Sequence, residues 1–193
     1  MPRASAADAA ETARRILEVA GAHFAEHGYA AASVDDIARA ADVTRGAVYH
    51  HYTSKPRLFA AVAAAQQQRL ADAIVAATES STPDAALRDG SHAFLDAITR
   101  GAAARVLLVD GPAVLSWDDW RRFDAEGPAV TLREGLAEAG VAPALLEALT
   151  AALSGSMNEL ALWLSARPTD AAARAQAHDA LDLLLDAVVP PRA

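Results

Sequence analysis

Between Val43 and Arg57 the chain carries Arg45, Lys55 and Arg57, with His50 and His51 among them and no acidic residue. Lys55 is the only lysine in the whole sequence. These types suit contact with a polyanion. A guanidinium can read guanine O6 and N7 through two parallel hydrogen bonds, and a phenol such as Tyr49 can bridge bases and phosphates. Gly46, next to Arg45, would let the backbone approach such a partner with no side chain in the way.

Other groups that could do chemistry lack their companions. His23 and His27 stand at i, i+4 and could share a metal, but no third ligand accompanies them. His50 and His51 are adjacent, so on a helix they point different ways. Asp118 and Asp119 follow Ser116, where carboxylates stabilise a helix N-terminus, so they need not be a catalytic pair. There is no Gly-rich phosphate loop, nucleophile elbow or metal-binding helix motif. With no cysteine, disulfides, Cys-ligated zinc, iron–sulfur clusters and a thiol nucleophile are excluded. No catalytic residue, metal or cofactor is expected, and the chain does not read as an enzyme.

The elements that must position the basic segment are helices. Of 193 residues, 53% are hydrophobic but only 5% aromatic, and Ala supplies much of the difference, a balance that favours helix over strand. No strand pattern or internal repeat is found, and the fold class is all-α. The net charge of −8 is unevenly placed: residues 1–57 carry seven Lys/Arg against seven Asp/Glu, so the whole deficit lies in the remainder. No apolar run reaches the ~18 residues of a membrane span. The N-terminal MPRASAADAAETARR meets charge too early for a signal peptide, so a cytoplasmic location is expected.

Periodicity and caps predict a first helix from about Ala7 to His27, stopped by Gly28. Ser33 opens a second, short helix ending near Ala41, and Thr44 caps a third from Arg45 to about Tyr52. Ser54 caps a fourth with Pro56 in its first turn, running to about Ala77. Later helices are expected at Asp84–Thr99, at 103–110 with Gly111-Pro112 as terminator, and at Trp117–Glu126. Ala129–Ala139, Ala144–Ala166 and Thr169–Val189 complete the set. The second and third form a helix-turn-helix: Ile37, Ala38 and Ala41 face Val43, Val48 and Tyr52, leaving Arg45, Ala47, Tyr49 and His50 outside.

The run from Gly28 to Lys55, with Ser33, Ile37, Ala38, Ala41, Val43, Thr44, Gly46, Tyr49, His51 and Tyr52 at fixed spacing, resembles the DNA-binding domain of TetR-family transcriptional regulators over roughly residues 10–60. The resemblance implies that Arg45, Gly46, Ala47 and Tyr49 face the major groove, and that Ser33, Thr44, Tyr49, His50, His51 and Lys55 contact phosphates. One departure is Asp42, where family members commonly have Gly. Asp tolerates the left-handed conformation better than most residues, which keeps the turn feasible. The implied organisation is a DNA-binding domain, 1–53, joined to a helical effector-binding and dimerisation domain, 54–193.

In that second domain all three tryptophans of the chain occur. Phe94, Trp117, Trp120, Phe123, Met157 and Trp163 are candidates to line an effector pocket, the alternative being ordinary core packing, with His92, Asn158 and Glu159 as possible polar anchors. The wide apolar arcs of the last two helices, through Leu145, Leu149, Ala152, Ser156, Leu181, Leu184 and Val188, suit a homodimer joined by a four-helix bundle. The expected function is a repressor that a small apolar effector releases from a palindromic operator. An activator or effector-independent regulator is one alternative, and a helical hydrophobe-binding protein with a vestigial DNA-binding segment is another.

Overall fold

The computed structural model describes residues 6–115 and 127–189, and the regular structure among them is helical. Helix α1, Ala6–Ala31, buries Ile16, Ala20 and Phe24 and is broken where the sequence puts its stop. Gly28 has φ 74° and ψ 165°, a region that essentially only glycine occupies. Two short helices follow, α2 (Val34–Ala40) and α3 (Arg45–Tyr52), and then the long α4 (Lys55–Thr78). Phe24 and Tyr29 meet Phe59 of α4 edge-on, at centroid distances of 5.2 and 5.1 Å, the favoured arrangement for aromatic quadrupoles. Leu58 and Phe59 are wholly buried.

The chain next forms α5 (Pro83–Ile98), a π-helix (Ala104–Asp110) and α6 (Gly111–Val114). Gly111-Pro112 therefore does not terminate helix as the sequence suggests. Pro112 falls in the first turn of α6, where a missing N–H removes no helical bond. Helices α7 (Pro128–Glu138), α8 (Leu146–Ser165) and α9 (Ala171–Val188) complete the described chain. The expected helix at 117–126 lies outside the described residues, as do Ser116, Asp118 and Asp119.

Two compact units result. One holds α1–α3, α4 as far as Gln66, the π-helix and α6. Here the π-helix packs on α1: Asp110 Oδ2 accepts the backbone N–H of Tyr29 at 2.9 Å. A Cβ at Gly28 would stand 2.4 Å from Nη2 of Arg105.

The other unit holds α4 from Gln67, α5 and α7–α9, with Leu95, Leu136, Ala161, Leu181 and Leu185 at its centre. Asp170 caps α9 by accepting the Ala173 N–H at 2.9 Å. The seam between α5 and α9 is polar. Arg88 bonds both Asp182 and Asp186, and His92 Nε2 lies 2.8 Å from Asp182. His92 and His178 meet through their Nδ1 atoms at 2.5 Å, while Asp96 takes Arg174 at 2.6 Å and His178 at 3.2 Å.

Candidate nucleic-acid interface

The short helices are fixed by their caps. Ser33 Oγ accepts the N–H of Asp35 at 3.2 Å and Thr44 Oγ1 that of Ala47 at 3.1 Å, satisfying donors that a helix start leaves open. Between them Asp42 takes φ 51°, the left-handed conformation anticipated for it, and Val43 N–H returns to Ala38 O at 2.9 Å. Ile37, Ala38, Ala41 and Val48 are each at most 3% exposed, so the faces expected inside are inside. Val43 is half-buried. Tyr52, also half-buried, donates its hydroxyl to Ala13 O on α1 at 2.7 Å and ties α3 to the first helix. Thr53 ends α3 with φ 59°, a strained conformation for a β-branched residue that no feature of the sequence announces.

The opposite face of α3 presents Arg45, Gly46 and His50 exposed, with Ala47, Tyr49 and His51 half-buried. Thr44 is exposed and Ser33 half-buried at the two helix starts. A Cβ added at Gly46 would find only Thr44 Oγ1, at 3.7 Å, so nothing within the chain requires glycine there. Lys55, half-buried at the start of α4, places Nζ 4.5 Å from the Tyr29 ring centroid and 3.4 Å from Ala30 O. Its ammonium is thus held over an aromatic face beside the N-terminus of a long helix, where anions are favoured.

Arg45 has partners that the sequence did not reveal. Asp35, in the first turn of α2, accepts from Arg45 Nη1 at 2.9 Å through Oδ2 and at 3.3 Å through Oδ1. Arg45 Nη2 lies 3.4 Å from the Tyr49 hydroxyl, and the guanidinium sits 5.3 Å from that ring's centroid. The Tyr49 hydrogen bond, and then the charge of Asp35, hold the Arg45 guanidinium above its usual pKa. The next carboxylate along α2, Asp36, pairs instead with Arg39 at 2.6 Å, and this bond holds Asp36 below the usual carboxylate value.

In the second unit a cavity of about 210 Å³ opens among α4, α5, α7 and α8. Of the residues singled out for a pocket, it brings together Phe94 and Met157, adding Ile74, Thr78, Leu87 and Leu132. Trp163 does not line it. Its ring carries the Arg167 guanidinium at 4.5 Å. Trp117, Trp120 and Phe123 lie outside the described residues. His92 belongs to the α5–α9 seam, and neither Asn158 nor Glu159 reaches the cavity. Two glycines are among its walls: Gly90 stands against Ile74 and Thr78 of α4, and Gly135 against Leu87 of α5.

The surface of α8 and α9 shows Leu145 53%, Leu184 36% and Leu183 71% exposed. Ala152 is exposed, and Leu149, Ser156 and Val188 are half-buried. Leu181 is different: it is 0% exposed in the core of its own unit. Its place in the expected dimer seam is corrected, since α9 turns it inward together with Ala177 and Leu185, at helical spacing.

Residues 16–62 match the family described as "Bacterial regulatory proteins, tetR family", and residues 85–188 match "Tetracyclin repressor-like, C-terminal domain". A probable acrEF/envCD operon repressor of Escherichia coli is 44% identical over 59 residues, covering 31% of this chain and 27% of the relative. The transcriptional regulator SrpR of Pseudomonas putida is 46% identical over 70 residues, 36% of this chain and 33% of its own. The match therefore spans about a third or less of these curated relatives. Solved structures are similar over nearly the full chain. A TetR-family regulator from Pectobacterium atrosepticum is 31% identical with a TM-score of 0.71, covering 98% of this chain and 100% of its own. PfmR from Thermus thermophilus is 28% identical with a TM-score of 0.72, covering 89% and 97%.

Proposed function

The chain belongs to the tetR family of bacterial regulatory proteins, and we propose that it is a homodimeric repressor that binds a palindromic operator and is released by a small apolar effector. The observation that carries this reading is the outer face of α3. Arg45, Gly46, Tyr49 and His50 stand clear of the core on a helix whose inner face is fixed by Val48 and Tyr52. A helix so presented fits a major groove, with Arg45 at base edges and Lys55, Thr44, Ser33 and His51 at phosphates. Two copies related by a two-fold axis would set two such helices about 34 Å apart, one turn of duplex.

The cavity of the second unit is the proposed effector site. Its described walls carry apolar side chains, a few hydroxyls, the carboxylates of Glu134 and Glu138 and no Lys or Arg, which favours a largely apolar ligand over a phosphorylated one. Because α4 begins at Lys55 and reaches the cavity with Ile74 and Thr78, a displacement of this one helix would carry the signal. By linkage, an effector that weakens operator binding must itself bind the operator complex more weakly.

Selection of bound duplexes from a random pool tests the function. The expected result is a palindromic consensus, and transcription from a promoter carrying it should fall when the protein is added. A pool with no sequence enriched over bulk DNA would refute this reading.

A further inference from the structure

We propose that Asp35, which contacts no base in this scheme, is a specificity-determining residue: its carboxylate positions Arg45 for base reading and at the same time discourages binding to DNA of arbitrary sequence. The proposal rests on the reading of α3 as the recognition helix. Asp35 and Arg45 are ten residues apart and meet because α2 and α3 cross at Ala38, Ala41 and Val48. Both carboxylate oxygens converge on one nitrogen, Nη1, while Nη2 faces the Tyr49 hydroxyl. A guanidinium has five N–H donors in a planar fork. The two partners fix the plane of the fork and leave its remaining N–H vectors for a base edge. An Arg free of them could swing to the nearest phosphate, which carries no sequence information.

The pair is exposed, 58% at Arg45 and 54% at Asp35, and exposed ion pairs contribute little to stability. Its effect is expected in the complex, where excluded water strengthens a charge-assisted bond. A carboxylate close to the phosphate backbone also lowers affinity for every duplex. Specificity is a difference between two affinities, so the correct duplex recovers through the ordered Arg45 what incorrect ones lose to the charge.

Asp36 is a built-in control. It stands in the same first turn of α2, bears the same charge, and pairs with Arg39 rather than Arg45. The experiment measures full-length Asp35→Asn, Asp36→Asn and Arg45→Ala proteins on the duplex selected by the parent, its single-base variants and a scrambled duplex, with thermal unfolding alongside. Asp35→Asn should lower the ratio of operator to scrambled affinity about tenfold, and flatten base preference at the same position that Arg45→Ala flattens. In the Asp35→Asn/Arg45→Ala double variant, preference at that position should be no flatter than in Arg45→Ala alone. Asp36→Asn should leave the ratio unchanged. Parallel shifts on both duplexes, an equal change from Asp36→Asn, or loss of binding in step with unfolding would each overturn the assignment, leaving Asp35 a bystander charge or a helix-start residue. If the parent selects no sequence, the DNA reading itself falls. If Arg45→Ala flattens a position and Asp35→Asn does not, only the role of Asp35 falls.

Discussion

Asp110, the last residue of the π-helix, accepts the backbone N–H of Tyr29 at 2.9 Å, one residue beyond the break at Gly28. The bond fastens a segment more than eighty residues away to the aromatic face on which Lys55 rests. Asp110→Ala would leave that partly buried N–H without its acceptor, at a cost of about 1–3 kcal/mol. Urea unfolding measures the cost, and a loss within experimental error would show that the junction holds without the bond.

Gly28→Ala should destabilise by a comparable amount for two separable reasons. The backbone conformation costs an L-residue about 1–3 kcal/mol, and the new methyl would strike Arg105, 2.4 Å away. Adding Arg105→Ala should relieve only the second part. Full recovery in the double variant would mean that φ 74° at this position is not an obstacle.

Lys55→Ala should weaken binding by a similar factor for every duplex and make the dependence of log affinity on log salt shallower by about 2, the mark of one phosphate contact in each protomer of the proposed dimer. Titration at several salt concentrations reads both. An unchanged slope would place Lys55 away from the phosphates and leave it as a partner of Tyr29 alone.

At the α5–α9 seam, burial pushes the Asp182 carboxyl up, but hydrogen bonds from His92 and Arg88 and their charges outweigh it, and the net shift is below the ordinary 3.8. A carboxyl depressed in the folded state contributes stability that is present above its unfolded value and lost as pH falls through the folded one. Asp182→Asn should therefore lower stability at neutral pH and flatten its decline below about pH 4. Chemical unfolding at a series of acid pH values measures this, and a variant curve parallel to the parent's throughout would contradict it.

Leu184→Glu and Leu181→Glu should separate assembly from folding. Leu184 is 36% exposed and Leu181 0%. The first substitution should give a folded monomer with greatly reduced operator binding, because a charge would be buried in the proposed dimer seam. The second should unfold the domain. Sedimentation velocity with circular dichroism distinguishes them, and a Leu184→Glu protein that remains dimeric would move the seam off this face of α9.

Local signals made much of this molecule legible from sequence. Ser33 and Thr44 announced their helices because hydroxyl caps act within three residues, and Asp42 read as a turn because few side chains tolerate its φ. Ser54 likewise caps α4, accepting the Arg57 N–H at 3.3 Å. What escaped depends on residues meeting across the fold. Asp35 and Arg45 pair through a helix crossing, and His92 and His178 through packing of helices 86 residues apart. Leu181 and Leu184 lie on one apolar arc, and only the packed unit decides which of them turns inward. The sequence predicts an ordinary short helix over 103–110 where the π-helix lies, because hydrophobic spacing over seven residues does not distinguish i+5 from i+4 bonding.

That π-helix also bears on how the gene can change length. In an α-helix, losing one residue rotates everything beyond it by about 100° and brings the wrong face inward. Here the backbone between Ala104 and Asp110 already carries i+5 bonds, with slack that the removal of one residue can absorb by reverting to α geometry. A single-codon deletion between Arg105 and Asp110 can thus leave both flanks in register, with Asp110 still opposite Tyr29. Lineages of this protein should differ by one residue here more readily than within α4 or α8, where the same deletion scrambles a packed face.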